Sequence, residues 1–253
     1  MHDYSLIEVA IFGFLAQIVD GTLGMGYGVT STSLLIFFGL PPQIASASVH
    51  TAEIFTTFVS GIAHFKLGNI RKELVKPLVT FGIIGGILGA CGLIKLPPRP
   101  IKLVVGIILF TMGLTILYRF TSKAKFLLNK GNTNSPRRLG LLGFFAAFID
   151  AMGGGGWGPI CTSTLVFSET EPRYAIGTIN FTEFFITVPI AVTFFILIGP
   201  EKFRWDLVLA LLIGGVVAAP IAAFLCKHFP KRLLGFLIGI LVMILSLRMI
   251  ILK

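Results

Sequence analysis

The sequence predicts an all-α integral membrane protein, from its composition, its long apolar runs and an internal repeat. Of 253 residues, 55% are hydrophobic and only 13% are charged, and the mean hydropathy is +0.93. A soluble domain carries about 25% charged residues, so a lipid-facing exterior replaces the water-facing one. Apolar runs recur along the whole length, and each spans a bilayer if it reaches about 20 residues. This is room for a single membrane domain, 1–253, with no added soluble one. Met1–Glu8 holds Asp3 and Glu8 but no Lys or Arg, so a cleaved signal peptide is not expected. A multi-pass protein of the cell (inner) membrane is.

The net charge of +10 sits between apolar spans. The positive-inside rule accounts for such charges, and a nucleic-acid partner is not expected. Cys91, Cys161 and Cys226 lie apart within apolar segments with no CxxC spacing, which points away from disulfides and zinc.

Shifting the sequence by 130 positions aligns its two halves without a gap. Gly13-Phe14 falls on Gly143-Phe144, and Asp20 on Asp150. Gly24, Gly26 and Gly28 fall on Gly154, Gly156 and Gly158, with Tyr27 opposite Trp157. Thr32-Ser33 falls on Thr162-Ser163, Pro42 on Pro172, Glu53 on Glu183 and Thr57 on Thr187. Apolar composition alone does not place an Asp pair, a Glu pair and these Gly pairs in one register. The match continues more loosely, Gly85-Gly86 against Gly214-Gly215 and Gly106 against Gly239.

Each half therefore has four segments, repeat one over 6–119 and repeat two over 139–253. Leu6–Leu40 and Leu139–Phe167 are the glycine-broken openings. Gln43–Phe65, Leu74–Ile94 and Ile101–Tyr118 follow in the first half, and Tyr174–Ile198, Leu207–Cys226 and Leu233–Leu252 in the second. The linker 120–138 is polar and basic and is expected in the cytoplasm. A first segment that crosses the membrane makes the repeats parallel; a re-entrant hairpin makes them inverted. Counting Lys and Arg does not decide between these. The two flanks of each break are too short to span at about 1.5 Å per residue, which favours re-entrant hairpins and inverted repeats.

The two breaks read Asp20-Gly-Thr-Leu-Gly-Met-Gly-Tyr-Gly28 and Asp150-Ala-Met-Gly-Gly-Gly-Gly-Trp-Gly158. Neither is a nucleotide loop, because no strand precedes and no Lys-Ser/Thr follows. Small-residue helix packing explains one or two glycines, but poorly explains five in six residues. Irregular backbone survives in a bilayer where protein or a watery cavity surrounds it, and paired interrupted segments point to a transport site. The half-helix after each break, starting near Val29 or Pro159, presents unpaired N–H groups and the positive end of its dipole, which suits an anion. Ser31, Thr32 and Ser33 add hydroxyls, as do Thr162, Ser163 and Thr164, with Cys161 standing opposite Ser31. Back-bonding to their own helix is the competing use of these hydroxyls.

The second segment adds a polar stripe of Ser46, His50, Glu53 and Thr57, repeated by Glu183 and Thr187 with Asn180 in place of His50. A carboxylate in lipid is costly and marks a cavity or a proton path, so Glu53 and Glu183 are candidates for proton coupling. Hydrogen bonding to the adjacent break is their structural alternative. The second half lacks the histidine of His50-x-x-Glu53, so no metal or other cofactor is expected. Asp20 and Asp150 end the first half-helices and are expected to take the N–H groups of the break.

Two four-segment halves, each with an apolar helix, an acidic residue, a G-x-G-aromatic-G break and a Ser/Thr cluster, resemble the TauE/SafE sulfite exporter family, also called the 4-toluene sulfonate uptake permease family. The resemblance covers nearly the whole chain. It implies a transporter of sulfite, sulfonates or related sulfur-containing anions, not an enzyme, with the substrate region at Gly24–Ser33 and Gly154–Thr164. Met25 departs from the pattern, standing where the second half has Gly155. An anion channel is the alternative function, and a membrane-embedded enzyme a weaker one.

Overall fold

The computed structural model describes residues 5–121, 135–168 and 170–226, then 236, 239–240, 242–244, 246–247 and 250–251. Most of the basic linker 120–138 and half of Leu233–Leu252 thus lie outside the described residues. The first half folds into α1 (Leu6–Leu23), α2 (Tyr27–Phe37), α3 (Pro42–Lys66), α4 (Lys72–Lys95) and α5 (Pro98–Thr121). The second folds into α6 (Pro136–Gly153), α7 (Trp157–Phe167), α8 (Pro172–Ile198), a 3-10 turn at Pro200–Lys202 and α9 (Trp205–Leu225). The described residues between 236 and 251 are helical, and no strand occurs among the described residues.

The offset of 130 reappears in the helix bounds. α1 and α6 have 18 residues each and α2 and α7 have 11 each, starting 130 positions apart. The half-helices begin at Tyr27 and Trp157, two residues before the sequence-based starts. Both α1 and α6 end on a glycine in the left-handed region, Gly24 (φ 67°) and Gly154 (φ 69°). A side chain is strained in that region, and the αL residue closes each helix by returning its N–H to Asp20 or Asp150. A capping box between Ser5 and Glu8 starts α1. Ser135 caps α6 through the Arg138 N–H.

α1, α4, α8 and α9 are long and apolar enough to cross a membrane. On α9, Leu209, Ile213, Val217 and Ile221 recur every four residues and are exposed, an apolar stripe suited to lipid. With the apolar composition, these helices make the chain a multi-pass integral membrane protein. At 25 residues α3 is as long, but its polar stripe lowers its hydropathy. That stripe is turned inward, with Ser46, His50, Glu53 and Thr57 all buried.

The halves are interleaved. α1 packs chiefly on α9 and α6 chiefly on α4, while α3 and α8 pair with each other. A Cβ on Gly13 would lie 2.8 Å from the Leu211 carbonyl oxygen, and one on Gly143 would lie 2.5 Å from that of Leu78. Leu78 and Leu211 are 133 positions apart, so contacts in the third segment repeat at 133. This corrects the looser match of Gly85-Gly86 with Gly214-Gly215, which is displaced by about one helical turn. Small residues recur in both helices, so glycine identity alone aligned the wrong turn.

Residue contacts fix helix directions. Phe58 meets Phe184 and His50 meets Phe194, while Phe65 stacks on Phe181. Rising numbers on α3 thus meet falling numbers on α8, and the two run antiparallel. Gly85 and Gly89 of α4 abut Phe144 and Phe148 of α6, and Gly82 and Gly86 abut Ile186 and Ile190 of α8. In both cases the numbers rise together, so α4, α6 and α8 run the same way.

Candidate functional site

The two glycine breaks meet at the centre of the molecule. A Cβ on Gly28 would lie 2.6 Å from the Gly154 carbonyl oxygen and 3.0 Å from Gly155 Cα. One on Gly158 would lie 2.7 Å from both the Gly24 carbonyl oxygen and Met25 Cα. The absence of side chains therefore lets one break cross the other, backbone against backbone. Two hydroxyls fasten the crossing: Thr32 Oγ1 donates to the Gly154 carbonyl at 2.8 Å, and Thr162 Oγ1 to the Gly24 carbonyl at 2.6 Å. Each half thus satisfies the carbonyl that closes the other's first helix, a matched pair of buried hydrogen bonds.

A small cavity lies at the crossing. Its wall holds Asp20, Gly26, Gly28, Asp150, Gly156, Gly158 and Glu183 from the sequence-based candidates, together with Val29, Gly155 and Pro159. These last three fall within the substrate regions Gly24–Ser33 and Gly154–Thr164 that the resemblance implies, without having been singled out there. Glu53 joins from the side, its Oε1 lying where a Gly28 Cβ would come within 3.0 Å. The groups presented are helix N-terminal backbone and carboxyl side chains; among the described residues, no Lys or Arg is on the wall.

Asp150 does what its position suggested. Its Oδ1 accepts from the Gly156 N–H at 2.6 Å and the Trp157 N–H at 3.1 Å, capping α7. The Asp20 carboxyl faces the Tyr27 N–H at the matching place. The pairing of Asp150 Oδ2 with His50 Nε2, at 3.1 Å, was not foreseen. His50 Nδ1 lies 2.8 Å from the Ser46 carbonyl oxygen, which only accepts. Nδ1 therefore carries a hydrogen, and the His50–Asp150 contact holds one further, shared proton. Asn180, in the matching place, instead accepts from Ser60 Oγ at 2.7 Å and donates to the Ile176 carbonyl. The centre is thus nearly symmetric in backbone and unsymmetric in charge.

The other candidates stand back from the wall. Tyr27 and Trp157 are buried anchors, the Tyr27 hydroxyl donating to the Leu211 carbonyl and the Trp157 ring N–H to that of Ile179. Thr164 donates to the Ile160 carbonyl of its own helix, the competing use of such hydroxyls. Cys161 and Ser163 are buried. Ser31 Oγ and Ser33 Oγ are buried without a hydrogen-bond partner. The α3 stripe also continues beyond Thr57 to Ser60 and His64, both buried. That extension is visible in the sequence as unbroken four-then-three spacing.

A family model described as Sulfite exporter TauE/SafE matches residues 9–249. The chain is 44% identical over 248 residues to a probable membrane transporter protein, YtnM, of Bacillus subtilis (strain 168), covering 97% of this chain and 83% of that protein. It is 25% identical over 225 residues to a second such protein, YdhB, covering 87% and 90%. Against sulfite exporter TauE/SafE family protein 6 of Arabidopsis thaliana the identity is 27% over 120 residues, 47% of this chain and 27% of that one. No solved structure matches the chain significantly.

Proposed function

Because the chain belongs to the TauE/SafE sulfite exporter family, a family of membrane transporters, we propose that it is a secondary transporter carrying a small sulfur-containing anion together with protons. Sulfite, a sulfonate or a related oxyanion would occupy the cavity at the crossing of the breaks. One observation carries the reading: Asp20, Asp150 and Glu183 share the cavity wall with the N-terminal ends of α2 and α7. Helix N-termini favour an anion. An ionised carboxylate opposes one, by about 4 kcal/mol for a like-charged pair at 4 Å and an effective dielectric of 20. A protonated carboxyl removes that repulsion and donates a hydrogen bond to an oxyanion. Anion and proton therefore favour each other in this cavity.

The same proposal takes the two repeats, 6–119 and 139–253, as inverted and their openings as re-entrant hairpins. The antiparallel pairing of the matched helices α3 and α8 supports a two-fold axis in the membrane plane. α6 and α8 run the same way with α7 joining them, which supports α6–α7 as a hairpin. On this topology Lys66, Arg71, Lys72, Lys76, Arg137, Arg138 and Arg173 fall on one face and Lys95, Lys202 and Arg204 on the other. The excess favours a cytoplasmic location for the first face, and with it for the linker 120–138.

Thermal-shift measurements on purified protein against sulfite, thiosulfate, taurine, sulfoacetate and simple carboxylates test the reading. A sulfur oxyanion is expected to stabilise the protein, more at lower pH. Stabilisation by none of the sulfur anions at any pH would overturn it.

A further inference from the structure

Along α3, Ser46, His50, Glu53, Thr57, Ser60 and His64 follow at alternating spacings of four and three residues. All six are buried. That spacing holds one helix face for its full length, and so many polar groups inside a membrane helix are expensive unless they serve a path. On α8 the matching positions are Ile176, Asn180, Glu183, Thr187, Ile190 and Phe194. Both helices are polar in the middle, but only α3 stays polar to its C-terminal end.

The C-terminal half of this face is linked in space. Asn180, one turn before Glu183, accepts from Ser60 Oγ at 2.7 Å. One turn after Ser60, His64 Nδ1 lies 3.2 Å from Asn69 Nδ2, in the connection between α3 and α4. The amide donates, so Nδ1 accepts and Nε2 carries the hydrogen. His64 Nε2 faces the Gly21 carbonyl near the end of α1 without closing a hydrogen bond. It is fully buried and unpartnered, as is Asn69 Oδ1. At the opposite end, Phe194 and Ile190 stand where His64 and Ser60 would repeat, and Phe194 packs against His50.

We propose that Asn69, His64, Ser60 and Asn180 form a one-sided proton path between the cavity carboxyls and the membrane face at the α3–α4 connection. The inference rests on the proton-coupled reading above. Once the Asn69 amide swings aside, His64 takes up a proton at Nδ1 from water at the face and releases its Nε2 proton inward through the Ser60 hydroxyl to the carboxylate of Asp20 or Glu183, which becomes neutral. A flip of the ring then restores the starting tautomer. The charged and titratable groups of the surrounding elements include Asp20 of α1, His50, Glu53 and Lys66 of α3, Arg71, Lys72, Glu73 and Lys76 at the start of α4, and Arg173 and Glu183 of α8. His64 is the group whose exchange stays neutral at rest. The path runs to the face carrying Lys66, Arg71 and Lys72, and leaves the other half sealed by Phe194.

The test uses full-length protein in liposomes with a trapped pH dye, sulfite as the probe, and His64→Phe, which copies Phe194, beside His64→Gln. Wild type is expected to move protons when sulfite is added outside. Both variants are expected to lose that proton movement while keeping the sulfite-induced thermal shift of the wild type, which shows that the fold and the anion site are intact. Wild-type proton movement per sulfite in both variants would overturn the path and leave proton coupling standing. Sulfite flux without proton movement in the wild type itself would overturn proton coupling, and the path with it. Loss of the thermal shift together with proton movement in both variants would place His64 in the anion site and overturn its role as a relay.

Discussion

His50 and Asp150 lie 100 positions apart and on different halves, yet Nε2 of one is 3.1 Å from Oδ2 of the other, with both side chains buried. The same carboxyl group caps α7 through its other oxygen. One side chain therefore ties the second break to the polar face of α3. His50→Ala and Asp150→Ala are each expected to destabilise the protein by about 3–5 kcal/mol, because either leaves a buried polar partner alone. The double variant should cost less than the sum, since the two act as a unit. Thermal unfolding in detergent of the four proteins checks this, and additive losses would show the contact to be idle.

The glycines of the breaks separate from ordinary helix glycines. A Cβ at Gly28 or Gly155 would meet the backbone of the opposite break, whereas one at Gly92 in α4 meets nothing within 4 Å. Gly28→Val and Gly155→Val are expected to cost at least about 1–3 kcal/mol by overpacking. Gly92→Ala is expected to be neutral or to stabilise by up to about 1 kcal/mol. Melting temperatures of the three variants, read against wild type, decide it.

Ser33 offers a way to tell binding from packing. Its hydroxyl is buried and unpartnered, so Ser33→Ala should leave stability of the unliganded protein unchanged. If the hydroxyl turns to the anion, the variant should weaken sulfite binding by about 0.5–3 kcal/mol, the range for a hydrogen bond to a neutral or charged partner. Thr162→Val is the contrast. It removes the hydrogen bond to the Gly24 carbonyl, and the orphaned carbonyl should lower stability by about 1–3 kcal/mol before any ligand is added. Calorimetric titration beside thermal unfolding distinguishes the two patterns.

Much of this centre was legible before any coordinates. The offset of 130 located both breaks, and the Asp pair was read as caps because a helix that stops at glycines leaves N–H groups unpaired. What local pattern does not encode is which half meets which. The exchange of α1 onto α9 and of α6 onto α4 is a tertiary choice, and so is the His50–Asp150 contact. The glycines were assigned to a ligand's approach; at Gly28, Gly155 and Gly158 the approaching group is the other break, a backbone identical in kind to what a ligand would require. The third-segment register was missed because glycines recur at nearly every turn of α4.

Anion binding should tighten as pH falls. Protonating Asp20 or Glu183 on the cavity wall removes a like charge, so affinity rises with proton concentration until those groups are neutral. Glu183→Gln should make sulfite binding tighter at high pH and less dependent on pH, since the amide imitates the protonated carboxyl. Sulfite titrations at several pH values on both proteins measure this, and an unchanged pH slope in the variant would remove Glu183 from the coupling.

The most direct measurement is uptake of radiolabelled sulfite into proteoliposomes under an imposed pH gradient. Wild type is compared with the double variant Glu53→Gln, Glu183→Gln. The account predicts saturable accumulation that follows the pH gradient in the wild type, and saturable flux with a weaker gradient dependence in the double variant, where Asp20 remains. Flux that rises linearly with sulfite and ignores the pH gradient in the wild type would contradict it, and would describe a channel instead.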